Sequence, residues 1–382
     1  GEIRQNGYNL NIPRYVDSSE ATEQYDIYAT MFGGIPESEI NQLQTYWNAL
    51  PSLRADLFQP KEDGSPYATV KSEDIAKTIE ENTDVCNLKQ TFANAFSDFA
   101  DTLHSRLITN VSTVKEMNEQ DDIANDIFNR LKSIPLIDKY VAYQALSDNW
   151  QAIVNDIETI QSEGIDAVRV VEQAYKLVKK GDEEIEVPDG LKGRIIPFEL
   201  VQHEKFQTEL DAINVKQTEV EDIASQLDEL RDGFTEEERQ TYLDEDDDTK
   251  FNKNAIKSDA KIKGDEVEQE TKVKLKEIVN LWDKTAKLNK EIKADKATLE
   301  LHTINTIEHL SDEDVEMFLH KKWINPVCDG INGALSAIFS ALEKSVMALE
   351  AKYALPYNEV ERNIANSQEE LSKLINQLTG DK

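Results

Sequence analysis

From Val85 to Ile108 an apolar side chain returns every three or four residues, at Leu88, Phe92, Phe96, Phe99, Leu103 and Leu107. This is the period of a helix with one buried face, and it predicts a single long core helix. The same period predicts helices over 121–133, 136–147 and 149–162, through Ile123, Ile127, Leu131, Trp150, Val154 and Ile157, with Pro135 separating the first pair. Upstream, one helix ends at Gly33-Gly34 and a second starts at Pro36, carrying Ile40, Leu43, Trp47 and Leu50 until Pro51 interrupts it. Phe58 to Ser72 contains Pro60, Gly64 and Pro66 and reads as a loop, after which Ser72 caps a helix bearing Ile75 and Ile79. One period repeated this often dictates a mainly α fold.

The period changes only between Val168 and Ile196. Tyr175–Val178, Glu183–Val187 and Gly193–Ile196 are rich in β-branched residues and are separated by Lys180-Gly181-Asp182 and Pro188-Asp189-Gly190, which predicts a small hairpin. Pro197 then suits a first helical position, and Phe206, Leu210, Ile213, Gln217, Val220, Ala224 and Leu227 follow with alternating spacings of four and three. That spacing is a coiled-coil seam and requires a partner helix. One is available in the same chain, where Ile278, Thr285, Ile292 and Leu299 lie seven apart and Leu281 and Leu288 fill the complementary positions. The expected arrangement is an antiparallel arm. Its seam or partner-docking candidates are Phe206, Leu210, Ile213, Val220, Leu227, Ile278, Leu281, Leu288 and Ile292. The last third opens on the helix start Ser311-Asp312-Glu313-Asp314 and breaks at Asn325-Pro326. Two helices divided by Pro356 follow, one lined by Ile331, Leu335, Ile338, Phe339 and Leu342, the other by Val360, Ile364, Leu371, Leu374 and Leu378.

A chain of 382 residues allows two or three units at roughly 100–200 residues each. The expected division is 1–18 as the end of a preceding domain, 19–167 as a helical domain and 168–199 as the hairpin element. The arm then occupies 200–302, with an acidic loop at 233–266, and the C-terminal helical region 303–382. Seventy-five acidic against 42 basic residues leave a net charge of -33, which repels phosphate backbones and argues against independent DNA binding. Cys86 and Cys328 have no ligand-like spacing, and no apolar run approaches the ~18 residues of a membrane span, so a soluble cytoplasmic protein is expected.

Catalytic and metal-binding motifs are hard to find. Gly33-Gly34 lacks the remaining elements of a phosphate loop and reads as a helix C-cap. His104, His203, His302, His309 and His320 form no His-Glu-x-x-His pair, and surface or seam positions explain them. Asp244 to Asp248 fails as a calcium loop, because Thr249 and Ala255 occupy the glycine and terminal carboxylate positions. No catalytic, cofactor-binding or metal-ligating residue is assigned.

Three segments carry a family resemblance: Asn6-Gly7-Tyr8-Asn9-Leu10-Asn11-Ile12-Pro13-Arg14-Tyr15-Val16-Asp17, Val187 to Val201 through Pro188-Asp189-Gly190-Leu191-Lys192-Gly193-Arg194-Ile195-Ile196-Pro197-Phe198, and Lys322-Trp323-Ile324-Asn325-Pro326-Val327. In order and spacing they resemble the C-terminal region of long-tailed methylation subunits of type I restriction-modification systems. The resemblance implies a parent enzyme that methylates DNA adenine at N6 with S-adenosylmethionine, in a complex with a specificity subunit and an ATP-driven restriction subunit. It also implies that the C-terminal helices pack on the specificity subunit. The family's cofactor loop and its Asn-Pro-Pro-Tyr/Phe motif have no counterpart here, since Asn325-Pro326 is followed by Val327. The expectation is therefore an assembly region whose catalytic half lies upstream of Gly1. Alternatives are an acidic DNA mimic, suggested by the net charge, and a free-standing coiled-coil scaffold.

Overall fold

The structure, a computed structural model, describes residues 25–62, 64–72, 74–180, 183–244, 247–261 and 268–379. The segment Asn6–Asp17 and the expected domain 1–18 lie outside the described residues. Among the described residues the fold is mainly α, with one long hairpin and one small sheet. The described residues form two compact units, each assembled from separated stretches: those within 1–98, 124–144 and 330–382 in the first, and those within 99–123 and 145–329 in the second.

In the first unit, the helix Ile27–Phe32 is capped at its start by Asp26, whose carboxylate accepts from Ala29 N, and at its end by Gly33 at φ 74°. The helix expected from Pro36 is shorter and more broken than its period suggests: Glu37–Ile40, a 3₁₀ turn at Asn41–Leu43, then Gln44–Ala49. Trp47 fixes this path, its buried indole donating to Ile40 O at 2.8 Å. The stretch expected to be a loop contains β-structure. Strand β1 (Ile35–Pro36), β2 (Phe58–Pro60) and β3 (Tyr67–Val70) form an antiparallel sheet in the order β1-β3-β2. Strands of two to four residues interrupted by prolines give no alternating pattern. Asp74, not Ser72, caps the helix Ile75–Glu81, and Ser72 instead holds Asp74 N with its hydroxyl. The buried Asn82 starts the next helix, Thr83–Ala95: its carbonyl accepts from Asp84 N and Val85 N while its amide donates to Ser52 Oγ and Asp56 Oδ2.

The long helix expected over Val85–Ile108 ends at Ala95. Arg130 marks the break, its Nη1 donating to Ala95 O at 2.6 Å and to Asp98 Oδ1 at 2.5 Å. In the second unit the chain resumes as Phe99–Leu103 and widens into a π-helical turn at His104–Thr109. The helices expected at 136–147 and 149–162 are one element, Lys139–Glu163.

The hairpin pairs β4 (Val171–Lys180) with β5 (Glu183–Gly193) and is longer than expected. Pro188-Asp189-Gly190 is not a turn. The register moves from Gln173↔Leu191 to Tyr175↔Pro188, so Asp189 and Gly190 form a bulge opposite Ala174, and Gly190 takes φ 83° there. Gly193–Ile196 adds no third strand. A Cβ at Gly193 would collide with the Ile196 carbonyl, so only glycine lets the chain fold back at this point.

Ser311 caps Asp312–Leu319 as expected, its hydroxyl accepting from Asp314 N. The expected break at Asn325-Pro326 is absent. A second π-helical turn, His320–Ile324, runs directly into the helix Asn325–Lys352, with Asn325 N donating to His320 O. Pro326 normally clashes with the carbonyl four residues back, and the widened turn ahead of it relieves that contact. Among the described residues no helix is long and apolar enough to cross a membrane.

Candidate docking surfaces

The arm pairs Gln207–Asp232 with Gln269–Glu308. Its polarity follows from the flanking contacts: Glu209 meets His302, Lys216 meets Asp295 at 2.7 Å, and Glu219 meets Lys284 at 2.6 Å, so positions advance on one helix as they recede on the other. Phe206 lies at the break between Phe198–Lys205 and the arm helix, half-buried, its ring centroid 5.8 Å from that of His302. Ile213, Ile292 and Leu299 form a buried cluster, with Phe206, Leu210 and Val220 packed on its margin. Toward the tip, Leu227 packs on a second cluster that contains Leu275 and Ile278. Leu281 is half-buried and Leu288 buried.

All nine candidates thus lie along the two paired helices, and those assigned to a cluster pack within the arm. One seam position is displaced. Ala224 is exposed and Ile223 is buried in its place, because a straight helix drifts against a strict heptad and the larger side chain is the one drawn inward.

The expected acidic loop 233–266 carries structure of its own. Helices Glu236–Tyr242 and Lys253–Asp259 close over Phe234, Tyr242, Leu243, Ile256 and Ala260. Glu238, almost fully buried, completes a capping box with Thr235 and accepts from the Thr271 hydroxyl at 2.7 Å. Burial pushes its carboxyl up, yet the Thr235 N–H, the Thr271 hydroxyl and the Lys274 ammonium together hold it below the usual carboxylate range. Burial, with the Asp259 carboxylate behind it, pushes the Tyr242 phenol up to about 12. Glu245 and Asp246 of the acidic run lie outside the described residues. Asp247 is brought down to about 2 by hydrogen bonds from Lys250 and Thr249.

The terminal helix Tyr357–Thr379 contrasts with the arm. Val360, Ile364, Leu371 and Leu374, expected to form the apolar line of this helix, stand in solvent: Ile364 is 54 %, Leu371 58 % and Leu374 56 % exposed. The side chain of Leu378 lies outside the described ones. The helix touches Ile27–Phe32, which adds exposed Ile27, Tyr28 and Phe32 to the same unit's surface. Tyr357, Val360, Ile364, Ser367, Leu371 and Leu374 alternate spacings of three and four, the pattern of a coiled-coil seam with one polar position. Acidic Glu361 and Glu370 flank it. The period is plain in the sequence, but whether a partner covers it is not.

Two of the three segments behind the family resemblance meet in the second unit. Lys322 Nζ donates to Ile195 O at 2.6 Å and to Asp156 Oδ2 at 2.5 Å, and Trp323 Nε1 donates to the same Asp156 oxygen at 2.8 Å. Asp156 and Trp323 are both buried, so the node ties the exit of the hairpin to the second π-turn. Asp156 carries no sequence signal beyond its place on a helix. Among the described residues no cluster of three or more His, Cys, Asp or Glu is placed to hold a metal ion. Comparison of the chain with protein-family models, with curated proteins and with solved structures finds no match.

Proposed function

We propose that this chain is the C-terminal assembly region of a methylation subunit of a type I restriction-modification system, and that the specificity subunit docks on the apolar face of Tyr357–Thr379. The observation that carries the docking is the exposure of Ile364, Leu371 and Leu374 in coiled-coil register. Contiguous apolar surface of this kind marks an interaction site, since each of these side chains gains on the order of 1.5–3 kcal/mol when fully covered. A helix from the partner completes the seam. The parentage rests on the three resembling segments, of which Val187–Val201 and Lys322–Val327 meet where Lys322 donates to Ile195 O.

In this reading the upstream domain supplies S-adenosylmethionine-dependent adenine-N6 methylation, and the restriction subunit joins for cleavage. With a net charge of -33 this region leaves DNA contact to the assembled complex.

Co-purification with the specificity subunit tests the proposal. The double variant Ile364→Glu/Leu371→Glu places charges at positions that are already exposed, so the helical circular dichroism is expected to persist while binding weakens by at least about tenfold, or roughly 1.4 kcal/mol. A complex of undiminished affinity would overturn the assignment. Leu210→Glu provides the contrast, because it packs inside the arm and is expected to loosen the arm rather than abolish docking.

A further inference from the structure

The two π-helical turns in the second unit each begin with a histidine, His104 and His320, more than 200 residues apart in sequence. Their rings meet with centroids 5.6 Å apart and planes inclined at 40°. The two turns contact each other directly. Both histidines are half-buried. A π-turn departs from the regular helix and commonly accompanies a functional position, and here two of them come together at one ring pair.

We propose that His104 and His320 form an acid-sensitive clasp, in which the contact between the neutral rings holds the two π-turns together and protonation of both rings drives the turns apart. The groups around the pair define how it works. Glu316, one turn ahead of His320, reaches His104 Nε2 at 4.0 Å, and Asp101 faces His320 from the turn preceding His104. One proton on the pair is therefore balanced by carboxylates. A second proton puts like charges on two half-buried rings whose centroids lie 5.6 Å apart.

The remaining charged neighbours do not relieve that repulsion. Arg106, on the first π-turn, is already bound to Glu119 and Asp122. Lys321, on the second, pairs with Glu204 and adds positive charge beside His320. Lys322 is engaged at Asp156. The Val111–Thr113 turn, which packs on the first π-turn, carries no charge. Burial and the facing His104 together push the His320 imidazole below its usual range, against the side-chain hydrogen bond with Asn325 that works the other way.

The test is a proton NMR titration of the imidazole signals in the full chain, paired with hydrogen exchange at residues 104–109 and 320–324. In His104→Gln the His320 midpoint is expected to rise by roughly 0.5–1 pH unit, the size of a like-charge interaction at this separation between half-exposed groups. In the unaltered chain, both segments should exchange faster at pH 5 than at pH 7.5 once intrinsic rates are corrected. His104→Gln and His320→Gln should each remove that difference. An unmoved His320 midpoint in His104→Gln would overturn the proposal. So would equal protection at the two pH values in the unaltered chain.

Discussion

Asp156 gathers on one carboxylate oxygen the Lys322 ammonium and the Trp323 indole, and Lys322 reaches on to the Ile195 carbonyl. Each donor loses water on burial, and the carboxylate offsets that loss as counter-charge to the ammonium and acceptor of the indole. Asp156→Ala leaves a half-buried ammonium with the Ile195 carbonyl but no counter-charge, and a buried indole N–H without its acceptor. The expected cost is about 3 kcal/mol, measured by urea unfolding, whereas a loss under about 1 kcal/mol would mean that water replaces the carboxylate without penalty. Lys322-Trp323 is visible in the sequence as part of a resembling segment. Its partner is not, because nothing local distinguishes Asp156 from the other acidic residues of its helix. Arg130 gives the same lesson at Ala95 and Asp98, where a side chain distant in sequence meets the end of a helix whose apolar period continues.

At the scale of elements, period identifies helices well and their ends poorly. The arm has the expected antiparallel pairing, flanked by Lys216–Asp295, Glu219–Lys284 and Glu209–His302, and its seam departs from the heptad where Ile223 displaces Ala224. That displacement predicts an asymmetry between neighbouring positions. Ile223→Ala is expected to destabilise by about 2–4 kcal/mol and Ala224→Ser by under about 0.5 kcal/mol, as read from thermal unfolding. Equal effects would restore the strict heptad. The three-stranded sheet escapes detection because its strands are too short to alternate, and Pro326 passes as a helix breaker because the wide turn before it forms only in three dimensions. The terminal helix reads as amphipathic, and its period suggests a core that the fold does not supply. Amphipathicity states that a face must be covered, not by what.

For the whole molecule, net charge exerts the strongest long-range influence. An excess of 33 negative charges repels itself in the compact state, while exposed ion pairs such as Lys77–Glu81, Lys287–Glu291 and Lys373–Glu369 each contribute little. Screening should therefore stabilise this chain. Raising salt from about 0.01 M to about 0.15 M shortens the screening length from roughly 30 Å to roughly 8 Å, and an effect on the order of 1 kcal/mol raises Tm by about 2–4 °C. A Tm that falls over this range would mean that attractive pairs outweigh the net repulsion. The two compact units likewise follow contacts rather than chain order, each drawing on separated stretches.

The sequence by itself determined the mainly α class, the antiparallel arm, the hairpin, the Ser311 cap and the Gly33 terminus. All of these follow from periodicity or from turn chemistry, which act between residues a few positions apart or repeat regularly. Only the tertiary structure decided where Val85–Ile108 breaks, which apolar faces are covered, that Asp156 anchors two distant segments, and that His104 meets His320. Those outcomes depend on which surfaces compete for the same space, and an apolar or acidic residue looks the same in the sequence whether it wins that competition or is left in water.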